Sequence, residues 1–155
     1  MSTPAAGDTA PAISLPGDDG QTHDLAAMKG QKVVVYFYPK DDTPGCTKEA
    51  VGFTEKAADF DAAGTVVWGI SKDTVAKHGK FRAKHDLGIP LLSDAEGDVC
   101  ERYGVWVEKS MYGKTYMGID RSTFLIDADG KIARAWNKVK VPGHVDEVLE
   151  AARDL

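Results

Sequence analysis

Cysteine is scarce in this chain: its 155 residues hold 2, Cys46 and Cys100, far apart in the sequence. Two so widely spaced thiols make no disulfide framework and suit a reducing compartment, so the cytoplasm is the expected location. Nor do they complete a four-ligand zinc site, and His23, His78, His85 and His144 show no pairing at metal-ligand spacing, so no metal or other cofactor is expected. Long apolar runs are missing as well. No stretch approaches the ~18 residues of a membrane span, and the opening Met1-Ser2-Thr3-Pro4 lacks the basic-then-apolar order of a secretory signal. No run of basic residues occurs, and a net charge of −5 with a pI near 5.3 argues against a nucleic-acid surface. Repeats, linkers and low-complexity segments are absent too. What is there is ordinary soluble composition, 43% hydrophobic and 28% charged, in a length that fits a single domain over 1–155 with a sizeable core.

The hydrophobic pattern predicts an α/β chain. Residues 12–15 and 22–25 flank a Gly17–Gly20 turn and read as an N-terminal hairpin. The β-branched run Lys32-Val33-Val34-Val35-Tyr36-Phe37-Tyr38 has the character of a central strand covered on both faces. Helical spacing follows over 46–62, then a strand at 66–71, a helix over 75–85 and a short strand at 90–93. A short amphipathic helix turns Cys100 inward, with a loop around Met111-Tyr112-Gly113. Strands at 122–127 and 131–139 form a hairpin across Asp127–Gly130, and a last helix from near Pro142 carries Val145, Val148, Leu149 and Ala152 on one face. Alternation first and a hairpin later predict a mixed sheet with helices on both faces.

The informative segment is Pro39-Lys40-Asp41-Asp42-Thr43-Pro44-Gly45-Cys46, where the central strand gives way to a helix. Cys46 falls in the first turn of that helix. There the unpaired backbone N–H groups and the positive end of the dipole favour an anion, and the thiolate is the only useful nucleophile. Ionisation alone does not make fast chemistry: an ordinary thiol is already a few per cent ionised at neutral pH, so complete ionisation gains only ~30-fold. Donors aimed at developing charge must supply the rest, and backbone N–H groups near Cys46, the Thr43 hydroxyl and a guanidinium are the candidates. Taken singly these residues have plainer readings: a small apolar cysteine, Thr43 as a helix cap, Pro39 as a strand terminator, Arg121 as a solvated strand end.

The conjunction resembles a known family. Pro39, Thr43 and Cys46 match the peroxiredoxin pattern P-x-x-x-T-x-x-C, and Tyr36 through Ala50 is similar to the PrxQ subfamily, also called bacterioferritin comigratory protein. So are Leu92-Ser93-Asp94, Tyr103-Gly104-Val105-Trp106 and Gly118-Ile119-Asp120-Arg121-Ser122-Thr123-Phe124. The likeness runs from about Gly7 to the last helix. It implies a thioredoxin-like fold and a thiol peroxidase in which Cys46 attacks a peroxide and becomes a sulfenic acid. It further implies that Thr43 and Arg121 contact the peroxide oxygens, that Pro39 shields the thiol, and that Glu49 supports the loop and the arginine. Arg121 is the better residue there than lysine because its always-charged fork can serve sulfur and leaving oxygen together.

One departure concerns recycling. Many PrxQ-like proteins carry a resolving cysteine where this chain has Val51, and others place it in the region that here reads Lys80-Phe81-Arg82-Ala83-Lys84. Cys100 is the remaining candidate, more often the fate of a buried free cysteine, and a Cys46–Cys100 bridge would require their Cα atoms within about 7 Å. A one-cysteine peroxidase is therefore expected, recycled by thioredoxin, glutaredoxin or a small thiol such as glutathione. The alternatives are a two-cysteine mechanism with Cys100 resolving, and a non-peroxidase thioredoxin-like sensor or binding module. A disulfide reductase is disfavoured, since Thr43 and Glu49 stand where C-x-x-C would need a second thiol. With no exposed apolar stripe, a monomer is expected. The acidic pairs Asp18–Asp19, Asp41–Asp42 and Asp127–Asp129 read as solvated turns.

Overall fold

Alternating residues open the chain as an antiparallel pair, β1 (Ser14–Pro16) with β2 (Thr22–Asp24), in a computed structural model that describes residues 3–155. The Asp24 carboxylate accepts from the Ala26 N–H and starts a short 3-10 turn, Leu25–Met28, leading to the central strand β3 (Lys32–Phe37). Then follow α1 (Pro44–Glu55), α2 (Ala57–Ala62), β4 (Thr65–Ser71), α3 (Val75–His85), β5 (Leu91–Ser93) and α4 (Val99–Arg102). A hairpin, β6 (Trp106–Met111) with β7 (Lys114–Ile119), precedes β8 (Ser122–Ile126), β9 (Ile132–Trp136) and α5 (His144–Asp154).

The main sheet has the order β5-β4-β3-β8-β9. β3, β4 and β5 run parallel, while β8 pairs antiparallel with β3 and β9 with β8. It is the mixed sheet of a thioredoxin-like fold. Both parallel crossovers step the same way across the sheet, and right-handed connection puts their helices on one face. There α1, α2, α3 and α5 pack Cys46, Ala50, Phe53, Phe60, Phe81, Val148 and Leu149 against Val34, Tyr36, Val67, Leu91 and Leu125. Alternation sends Val33, Val35, Phe37, Trp68 and Phe124 to the opposite face. That face is covered by the N-terminal segment, by the 3-10 turn through Leu25, and by α4 through Val99 and Cys100.

Register positions the site. Phe37, the last residue of β3, is the Cα partner of Ser122, the first of β8. Arg121 therefore lies beside the point where β3 ends and the 39–43 loop begins.

Four expectations change in detail. The helix expected over 46–62 begins at Pro44 and breaks at Lys56, whose φ of −101° and ψ of 5° separate α1 from α2. The loop expected around Met111–Gly113 is the turn of a regular hairpin, because Tyr112 and Gly113 both take positive φ, 53° and 77°, the requirement of a tight two-residue β-turn. The last strand stops at Trp136 rather than Val139: Lys138 turns the chain at φ 51°, and the Val139 N–H then donates to the Arg121 carbonyl. Asp18 and Asp41 are not solvated. Asp18 pairs with Arg82 and accepts from the Leu91 N–H, while Asp41 is 7% exposed.

Candidate active site

The chain makes the start of α1 a cluster of free donors. Thr43 occupies the cap position with extended backbone, but its hydroxyl donates to the Lys40 carbonyl at 2.9 Å and does not cap the helix. Pro44 has no N–H to give. The first helical bond is from Thr47 N–H to the Thr43 carbonyl at 2.8 Å. The N–H groups of Gly45 and Cys46 thus have no acceptor among the described residues. Together with the helix dipole they make the first turn of α1, which carries Cys46, a region of positive potential.

Arg121 completes it. One arm, Nη2, donates to Cys46 Sγ at 3.2 Å, and the other, Nη1, donates to Glu49 Oε1 at 2.8 Å. Cys46 is 1% exposed and Glu49 is fully buried. Glu49 sits one turn beyond Cys46 on the same face of α1, so a single guanidinium bridges both side chains. Burial raises the Glu49 carboxyl to about 7 although Arg121 pulls the other way, and its Oε2 has no partner among the described residues. The pair holds the guanidinium in place while leaving its positive charge only partly neutralised.

Gly45 matters for a reason that spacing alone does not reveal. A Cβ at this position would stand 3.1 Å from Arg121 Nη2. Gly45→Ala is therefore expected to push the guanidinium off the sulfur and slow the oxidation of Cys46 by peroxide about 10-fold. The melting temperature should stay near wild type; an unchanged oxidation rate in stopped flow would show that the guanidinium position does not matter.

The sequence and the fold are shared with known proteins. Residues 6–135 match the model of the AhpC/TSA family. Peroxiredoxin Bcp of Escherichia coli is 50% identical over 93% of this chain and 92% of its own length, and Peroxiredoxin Bcp of Bacillus subtilis is 48% identical over 96% and 95%. A solved structure of the Xanthomonas campestris bacterioferritin comigratory protein, described with its alkyl peroxide reduction activity, superposes with a TM-score of 0.89 at 42% identity, covering 96% of this chain and 98% of that one. The chain belongs to the AhpC/TSA family, as a peroxiredoxin of the PrxQ/Bcp group. It is an oxidoreductase, a thiol peroxidase.

In this peroxiredoxin the structure brings Cys46, Arg121 and Glu49 into direct contact. Thr43 lies at the helix start, its hydroxyl proton engaged by Lys40 and its lone pairs left to accept. Pro39 lies two residues beyond the end of β3, after buried Tyr38, and is exposed. Cys100 is elsewhere. It is fully buried in the core on the opposite face of the sheet from Cys46, and its N–H donates to Asp94 Oδ2 at 2.8 Å. Burial, reinforced by the Asp94 carboxylate, drives the Cys100 thiol far up from its ordinary value, so it stays protonated. The structure also adds a buried Tyr38–Asp41–His78 network beneath the loop. Its signal in the sequence was only an aspartate in a turn and a histidine on a helix. Among the described residues, no group of three or more His, Cys, Asp or Glu side chains could hold a metal ion, and no helix is long and apolar enough to cross a membrane.

Proposed function

We propose that Cys46 is the peroxidatic residue of a one-cysteine enzyme that reduces hydrogen peroxide and small organic hydroperoxides. The thiolate attacks the terminal peroxide oxygen, the O–O bond breaks, and an S–O bond forms as the sulfur is oxidised. The leaving oxygen takes a proton and departs as water or an alcohol. An external thiol then attacks the sulfenic acid, releasing water and leaving a mixed disulfide, which a second thiol reduces back to the Cys46 thiol.

The observation that carries this reading is the Arg121 guanidinium on the Cys46 sulfur. In the attack, negative charge moves from sulfur toward the leaving oxygen, and a charged planar donor already at the sulfur can follow it with little reorganisation. The Gly45 and Cys46 N–H groups are the neutral donors of the same site. Thr43 accepts from the peroxide O–H and so orients it, Glu49 fixes the far arm of Arg121, and Pro39 stiffens the loop and shields the thiol from solvent. The alkyl peroxide activity described for the Xanthomonas relative supports organic hydroperoxides as substrates.

Two observations favour one cysteine over two: the sheet stands between Cys46 and Cys100, and the Cys100 thiol is held protonated by burial. A bridge between them would have to break the core on both faces. The reductant is a thioredoxin, a glutaredoxin or a small-molecule thiol. Cys100→Ser is expected to consume peroxide at the wild-type rate with each of these donors, and wild-type protein treated with one equivalent of peroxide to contain no internal crosslink by intact mass. Slower recycling of Cys100→Ser by thioredoxin, or a Cys46–Cys100 disulfide in the mass spectrum, would establish the two-cysteine route instead.

A further inference from the structure

We propose that α3 positions the peroxide-binding loop, with His78 acting through Asp41 as its positioning residue. This rests on the peroxidase reading above and concerns groups that touch neither Cys46 nor its donors.

The loop is tied down at two successive residues. Asp41 Oδ1 accepts from the Tyr38 hydroxyl at 2.6 Å, and Asp41 Oδ2 lies 2.6 Å from His78 Nδ1. His78 Nε2 is 2.9 Å from the Leu92 carbonyl, which can only accept, so that nitrogen carries a proton. The side chains of His78 and Asp41 are 0% and 3% exposed. Asp41 is also gripped by its backbone, whose N–H donates to Asp73 Oδ2 at 2.8 Å, an oxygen that also accepts from Ser71 Oγ. A network closed at every atom in a dry interior has one low-energy arrangement, and that arrangement fixes residue 41 relative to β3, β5 and α3.

Asp42 is held in an uncommon backbone conformation. Its φ of 61° is in the left-handed region, unfavourable for a side-chain-bearing residue. The Asp42 carboxylate accepts from Lys84 Nζ and His85 Nε2, each at 2.8 Å and both on α3. The next residue is Thr43, whose hydroxyl closes back on Lys40. The direction in which Thr43 and the Gly45 and Cys46 N–H groups point is thus set from α3, one side chain at a time.

The chemistry of the two histidine nitrogens separates positioning from bulk stability. In His78→Asn the side-chain amide can still donate toward Asp41, whereas in His78→Gln it reaches the Leu92 carbonyl instead. Oxidation of Cys46 by hydrogen peroxide is compared with its alkylation by iodoacetamide, which needs a thiolate and no peroxide contacts. His78→Gln is expected to slow oxidation about 10-fold and to leave alkylation unchanged, with His78→Asn restoring much of the loss. Asp42→Gly, a surface change that keeps the backbone angle and removes the ties to Lys84 and His85, is expected to slow oxidation selectively even if the buried variants fail to fold. Wild-type oxidation rates in folded His78→Gln and in Asp42→Gly overturn the proposal, as does a parallel loss of both reactions. If wild-type Cys46 is itself inert to peroxide while alkylating normally, the peroxidase reading fails first and this inference falls with it.

Discussion

Arg121→Ala is expected to slow the oxidation of Cys46 by hydrogen peroxide about 100- to 1,000-fold, the range found when one preorganised donor to a developing anion is removed. The substitution deletes the donor at 3.2 Å from the sulfur and releases the Glu49 carboxylate held at 2.8 Å. Stability should fall by less than the ~3–5 kcal/mol of an uncompensated buried charge, because Glu49 need not stay charged. Its carboxyl already stands at about 7 with Arg121 pulling it down; without the guanidinium it rises further and is neutral at pH 7. Arg121→Lys retains the charge but cannot span sulfur and carboxylate with one ammonium, so it should recover only part of the rate. Stopped-flow oxidation of the reduced variants measures this directly, and a wild-type rate for Arg121→Ala would remove Arg121 from the mechanism.

Cys46→Ser should abolish peroxide turnover, a loss of at least about 10,000-fold, since a serine hydroxyl is scarcely ionised at neutral pH and is a poor nucleophile toward O–O bonds. The fold should survive, because serine is nearly isosteric and its oxygen can still accept from Arg121. The remaining thiol cannot substitute: Cys100 is fully buried on the other face of the sheet and held protonated there. Peroxide consumption with excess thiol is the readout, with thermal unfolding as the control for structure. Turnover by Cys46→Ser well above background would locate the reacting group elsewhere.

Much of the fold was legible because period decides it. The short apolar run at 32–37, rich in β-branched and aromatic residues, has the character of a doubly covered strand, and the spacing of Cys46, Ala50 and Phe53 marks the buried face of α1. The β6–β7 hairpin was not legible. Its strands carry exposed Met111, Tyr116 and Met117 with no clean alternation, its turn carries exposed Tyr112, and a Tyr-Gly turn is a weaker signal than Asn-Gly. In the site, Pro39, Thr43, Cys46 and Glu49 share one segment, but Arg121 reaches them only through the pairing of β3 with β8. That contact was nameable by resemblance and not from local pattern. The Asp41–His78 network escaped for a related reason: an aspartate in a Pro-Lys-Asp-Asp-Thr turn reads as solvated until the topology lays a helix over it.

The most direct test of the central claim is oxidation of the reduced wild-type protein by one equivalent of hydrogen peroxide, followed in stopped flow and quenched into a sulfenic-acid trap before peptide mass analysis. The trap is expected on the Cys46 peptide alone, with Cys100 unmodified and no internal disulfide. A trap on Cys100, or no oxidation of Cys46 on the timescale of catalysis, would contradict the account.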